Sequence, residues 1–152
     1  MMYFDVGLIE KLKILISEEG DYFKWNNIFE CYIQRNTLQS WCGYIKIPLN
    51  IYNSIDSKFD CHGGITYNEK LKDYHIIGFD TSLCDDLSPA LLFIHYNLYL
   101  LTPRLGSQFP GSNSQLVYRN KEYVISQTNY IVEQIINKLN QKRIEKINSI
   151  IQ

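Results

Sequence analysis

Three features of the chain predict an α+β fold. Strand-like segments run between residues 28 and 80, an amphipathic helix precedes them, and helical apolar spacing continues for about thirty residues from Asn120. Their arrangement is expected to be a four-stranded antiparallel meander packed against the N-terminal helix and the long C-terminal helix. At 152 residues the chain fits one domain, residues 1–152. That length is enough to bury roughly two-thirds of the unfolded surface.

Asp5 can cap the first helix, in which Leu8, Ile9, Leu12, Leu15 and Ile16 recur at helical spacing before Gly20 closes it. Residues 28–35 then alternate, with Phe29, Cys31 and Ile33 on one face and Glu30, Tyr32 and Gln34 on the other. Residues 36–40 read as a polar turn, and residues 41–47 as the returning strand that Pro48 ends. A polar loop over 50–60 leads to strands at 61–67 and 74–80, joined by a turn at 68–73.

Ser88-Pro89 reads as an N-cap and first helical position for a helix that reaches Leu101 and stops at Thr102-Pro103. It is apolar nearly all round, which predicts burial or an interface. Gly106, Pro110 and Gly111 mark residues 105–117 as a loop. The last helix carries Val124, Ile131, Val132, Ile135, Ile136 and Leu139, and its stripe continues through Ile144, Ile147 and Ile151. At about 1.5 Å per residue it spans roughly 45 Å, longer than a small domain needs. The stripe's continuation predicts an oligomerisation helix over 120–151 and a homo-oligomer.

Composition narrows the classes of function. A net charge of −1 argues against binding to duplex nucleic acid, and Lys138, Lys142, Arg143 and Lys146 are accompanied by Glu133 and Glu145. Ala90 to Leu101, the longest apolar stretch, is too short to span a bilayer. The first residues lack the pattern of a signal peptide. Cys31, Cys42, Cys61 and Cys84 form no C-x-x-C, so reduced core thiols in a cytoplasmic protein are expected.

Two stretches point to a site: Cys61-His62-Gly63-Gly64-Ile65-Thr66-Tyr67 and Ile77-Gly78-Phe79-Asp80-Thr81-Ser82. His62 could act as a general base, a metal ligand or a donor to an anion, or simply be satisfied by a carbonyl. Gly63 and Gly64 could bring backbone N–H groups close to a phosphate, or form a bulge. Asp80 could activate water or bind a hydroxyl, or cap the following turn. Tyr44 and Tyr67 could form a stacking wall as cross-strand neighbours, with Thr66 beside them.

Arg119 suits bidentate recognition of phosphate or carboxylate, against a surface ion pair with Glu122. Trp41 and Tyr118 are aromatic candidates of the same region, and His75 and His95 read as structural. His62, Asp80 and Asp86 supply at most one nitrogen and two carboxylates without metal-ligand spacing, so no metal is predicted. The sequence has no nucleophile elbow, P-loop or dinucleotide glycine pattern, and no cofactor is expected.

Four strings occur here in one order: Trp41-Cys42-Gly43-Tyr44-Ile45-Lys46-Ile47-Pro48, His62-Gly63-Gly64-Ile65-Thr66-Tyr67, Ile77-Gly78-Phe79-Asp80 and Tyr118-Arg119-Asn120-Lys121-Glu122-Tyr123-Val124. They resemble a group of small uncharacterised proteins of tailed bacteriophages and prophages, whose strings are similar to W-C-G-Y-V-x-V-P, H-G-G-L-T, G-F-D-C-A-H-x-G-D and Y-R-D-x-x-Y-V. The resemblance covers about residues 28–135. Leu83 stands where that group has a second histidine, and Asp86 matches its last aspartate.

The resemblance brings no established activity, but it implies a phage protein acting in the host cytoplasm. Together with the paired glycines, the aromatics and Arg119, it leads to the expectation of a binding protein for a small anionic, nucleotide-derived ligand, such as a host defence second messenger held out of reach. The alternatives are a hydrolase of such a nucleotide, with His62 as general acid or base and Asp80 orienting it, and a virion or host-protein interaction module. The candidate ligand residues are Trp41, Tyr44, His62, Gly63, Gly64, Thr66, Tyr67, Asp80, Asp86, Tyr118 and Arg119.

Overall fold

The computed structural model describes residues 6–101 and 116–152. In chain order its elements are α1 (Val6–Glu19), β1 (Tyr22–Asn26), β2 (Glu30–Arg35), β3 (Trp41–Pro48), α2 (Leu49–Tyr52), β4 (Tyr67–Lys70), β5 (Tyr74–Asp80), α3 (Pro89–Leu101) and α4 (Lys121–Ile151). The α+β class holds, with five strands in place of the expected four. All the pairings are antiparallel, in the order β1-β2-β3-β5-β4.

Two departures from the expected meander have physical causes. Tyr22, Phe23 and Trp25 favour a strand, but β1 is an edge strand with mostly exposed side chains, so burial imposes no alternation on it. Residues 61–66 are not a strand. Gly63 and Gly64 adopt φ of +67° and +79°, and the Gly64 N–H donates to the Cys61 carbonyl at 3.0 Å. The chain therefore turns there and pairs only from Tyr67, which puts β4 at the sheet edge and β5 against β3.

One face of the sheet makes the core. Cys31, Ile33, Ile45, Ile47, Ile77 and Phe79 are buried beneath Val124, Ile131, Val132 and Ile135 of α4. The helix sits close because β3 carries Gly43 at the crossing. A Cβ there would lie 2.4 Å from the Thr128 hydroxyl and 2.6 Å from the Phe79 ring. Thr128 turns that hydroxyl back onto the Val124 carbonyl at 2.7 Å, so no polar group is left unpaired at the contact. Asn120 caps α4, its side chain accepting from the Tyr123 N–H at 2.9 Å.

A second anchor joins α1 to the sheet and to the start of α4. Glu19 and Arg35 are nearly fully buried, with side chains 6% and 5% exposed. Arg35 donates to the Gly20 and Gln39 carbonyls and to the Tyr118 hydroxyl, which in turn donates to Glu19 at 2.6 Å. The guanidinium lies 4.2 Å from the Trp41 ring centre. Trp41 and Tyr118, candidates for ligand contact, are therefore parts of this buried frame. Burial and the Glu19 carboxylate push the Tyr118 hydroxyl up to about 12.

Beyond Leu139 the last helix leaves the core: residues 140–151 are exposed, with Ile144 at 51% and Ile151 at 77%. The all-round apolarity of α3 predicts burial or an interface. Only Pro89 of α3 is buried, and Leu91 and Ile94 are 42% and 52% exposed. The expected cap at Asp5, the stop at Thr102-Pro103 and the loop over 105–115 lie outside the described residues.

His75 is buried on β5, stacked on the Tyr52 ring at 3.7 Å and bonded through Nε2 to the Asn68 side chain. Burial, and secondarily Lys70, hold its pKa below the usual 6.5. The unfolded chain therefore binds the extra proton more readily, and stability is lost as pH falls through about 6.5. Urea unfolding should give a lower midpoint at pH 5.5 than at pH 7.5. His75→Phe should shrink that difference, and an unchanged difference would assign it to other groups.

Candidate functional site

The loop between β5 and α3 carries a carboxylate that is removed from water. The Asp86 side chain is 0% exposed, and such a burial is tolerable only with charged or hydrogen-bonding partners. Three groups meet it. Arg119 Nε donates to Oδ1 at 2.9 Å, His62 Nε2 lies 2.7 Å from Oδ2, and the Leu83 N–H donates to Oδ2 at 3.1 Å.

Backbone pairing brings these groups together. Asp86 and Val117 form a parallel bridge, and the Leu87 N–H donates to the Val117 carbonyl at 2.9 Å. This places Arg119 beside the loop, just ahead of the capped start of α4. His62 is held to the same helix: its backbone N–H donates to Gln127 Oε1 at 2.9 Å, and its Nδ1 lies 2.8 Å from the Tyr123 hydroxyl. The glycine beside it admits Leu83, because a Cβ on Gly63 would fall 2.1 Å from Leu83 Cδ1.

The partners dictate the proton positions. An ionised Asp86 only accepts, so Nε2–H of His62 donates to it. In the neutral imidazole, Nδ1 then accepts from the Tyr123 hydroxyl. In the imidazolium, Nδ1–H donates instead and frees the phenolic O–H to donate elsewhere. His62 thus has no spare nitrogen for a metal. Among the described residues no three His, Cys, Asp or Glu side chains converge as metal ligands.

Arg119 differs from Arg35. Its side chain is 25% exposed, its guanidinium lies 5.0 Å from the Tyr123 ring centre, and among the described residues only its Nε is hydrogen-bonded. Its two terminal nitrogens have no hydrogen-bond partner among the described residues. The paired surface contact with Glu122 does not form, and the buried Asp86 takes its place.

The remaining candidates stand elsewhere. Tyr44 and Tyr67 do meet, edge to face at 5.3 Å, and Tyr32 stacks on Tyr44 at 4.9 Å. They lie on the sheet face opposite α4, where Gly78 leaves room for the Tyr44 ring, and burial raises the Tyr44 pKa. Asp80 accepts from the Thr66 hydroxyl at 2.9 Å and from the Ser82 N–H at 2.9 Å. It does not orient His62; Asp86 does. Nor does Gly64 cradle an anion, since its N–H is bonded to Cys61.

Tyr123 and Gln127 were not singled out from the sequence. The signal was present, because Arg119, Tyr123 and Gln127 recur every four residues. Burial pushes the Cys31, Cys42 and Cys61 thiols up to about 11, which makes them poor nucleophiles.

No protein-family model matches the chain, no curated protein matches its sequence, and no solved structure matches its fold.

Asp86→Asn would leave Arg119 without its buried counter-charge, a change that costs about 3–5 kcal/mol. Urea unfolding should show a loss of this size, while Asp85→Asn, at an exposed position, should change stability by less than about 0.5 kcal/mol. Equal effects at the two positions would contradict the assignment.

Proposed function

We propose that the protein binds a small anionic ligand through Arg119, with His62 and Tyr123 beside it. One observation carries this reading: the guanidinium is anchored by a fully buried carboxylate at Nε while its terminal nitrogens have no described partner. A planar fork fixed in this way is ready to receive phosphate or carboxylate without ordering a mobile side chain. Nucleotides are the first class to test. The motif resemblance supports a phage protein in the host cytoplasm, where sequestering a nucleotide messenger is a coherent role.

Cyclic and ADP-ribose-type nucleotides, with inorganic phosphate as reference, should be screened by thermal shift. A ligand at 100 times its Kd adds about 2.7 kcal/mol, or roughly 5–10 °C in Tm for a chain of this size. Arg119→Lys keeps the charge beside Asp86 but loses the fork, and should remove most of the shift. Absence of any shift across the panel would defeat the nucleotide reading.

The hydrogen-bonded series Asp86–His62–Tyr123 favours hydrolysis as the second reading, with proton transfer through Tyr123. Recovery of intact ligand after heat denaturation supports sequestration, whereas recovery of cleaved ligand supports hydrolysis.

We also propose that the exposed stripe of α4 joins copies of the chain. No helix among the described residues is long and apolar enough to cross a membrane. Ile144, Ile147 and Ile151 are 51%, 47% and 77% exposed, which makes them available to a second copy. Light scattering at micromolar concentration should give a multiple of the 17.9 kDa chain mass, reduced by deleting residues 141–152. A monomeric mass before the deletion would reject this role.

A further inference from the structure

A cavity of about 410 Å³ opens beside Asp86, large enough for a small organic ligand. Its walls come from four parts of the chain: the β2–β3 turn, the loop after β5, α3, and the segment before α4. Six leucines dominate them, namely Leu38, Leu83, Leu87, Leu91, Leu92 and Leu116. Leu83 and Leu91 remain 37% and 42% exposed, so they line an open wall and are not packed into the core.

The chemistry of this wall is selective. Among the described lining residues there is no Tyr, Phe or Trp, and His95 supplies the one ring. Its two serine hydroxyl oxygens accept within the fold, Ser82 from the Asn36 amide at 2.8 Å and Ser88 from the Ser40 hydroxyl at 3.4 Å. A nucleobase gains from ring stacking and edge hydrogen bonds, and against six leucines the described wall sets one ring, that of His95. An aliphatic group needs neither. Asp86 belongs both to this wall and to the ion pair, and its bond to Arg119 Nε is 2.9 Å. Arg119 is not itself a lining residue, but its charge offsets that of Asp86 at the wall.

We infer that the ligand is an amphipathic anion, whose aliphatic body fills the leucine cavity while its phosphate or carboxylate group meets Arg119. The inference rests on the proposed anion site and narrows its ligand class.

Inorganic phosphate and the n-alkyl monophosphates from ethyl to octyl provide the test, by calorimetric titration of the full chain. Burial of each added methylene should tighten binding about fourfold until the cavity is full. Leu91→Trp, at a half-exposed position that tolerates the change, should abolish the dependence on chain length and spare inorganic phosphate. Arg119→Lys should weaken the whole series, inorganic phosphate included. If phosphate binds through Arg119 but affinity is flat with chain length, the cavity assignment fails and the anion site stands. If affinity rises with chain length but Leu91→Trp leaves the slope unchanged, the cavity assignment also fails. If neither phosphate nor any alkyl phosphate binds, both fall.

Discussion

The burial of one carboxylate governs how this protein is put together at its candidate site. Asp86 cannot lose its water without replacement partners, and those partners come from three separate segments: His62 from the β3–β4 connection, Leu83 from its own loop, and Arg119 from the approach to α4. Satisfying the charge fixes all three segments at once. It also bears on local sequence choices such as Gly63, which takes a positive φ in the turn and gives Leu83 room to bring its N–H to the carboxylate.

Comparing the two buried arginine clusters separates architecture from function. Arg35 uses all three of its nitrogens on Glu19, Tyr118 and two carbonyls, lies over Trp41, and is 5% exposed. Four of its five N–H donors are consumed within the fold. Arg119 has the same kind of carboxylate anchor but, among the described residues, only one bonded nitrogen, and is 25% exposed. The same ion-pair chemistry holds the frame closed in one place and, among the described residues, leaves two guanidinium nitrogens without a partner in the other.

Periodicity exposed the parts of the fold that burial controls. β2, β3, β5 and α4 each bury one face, so Cys31, Ile33, Ile45, Ile77 and Ile131 carry the pattern in their spacing. β1 buries little and leaves only a weak trace. The paired glycines were readable as a special backbone, but not as a turn, because Leu83 is twenty residues distant in sequence. His62 and Arg119 could be named from residue type alone. Their common partner could not, since nothing local distinguishes Asp86 from the exposed Asp85 beside it. Tyr44 and Tyr67 do meet, but across Gly78 of the intervening β5 and not on neighbouring strands, and on the sheet face away from His62, a separation that depends on where the chain turns at Gly64.

The strand order has a consequence for how the molecule reaches working form. β1, β2 and β3 are joined by short connections, and β4–β5 is a tight hairpin closed by the Leu71 N–H on the Tyr74 carbonyl. Each of these is a locally assembled half, and the two meet only along the β3–β5 seam. The strap that crosses between the halves is the segment that carries His62. A chain in which the halves have formed but not joined would hold most of its strands and none of its site. An intact Asp86 cluster therefore requires the long-range β3–β5 pairing, whose closure entropy is set by the strap's length.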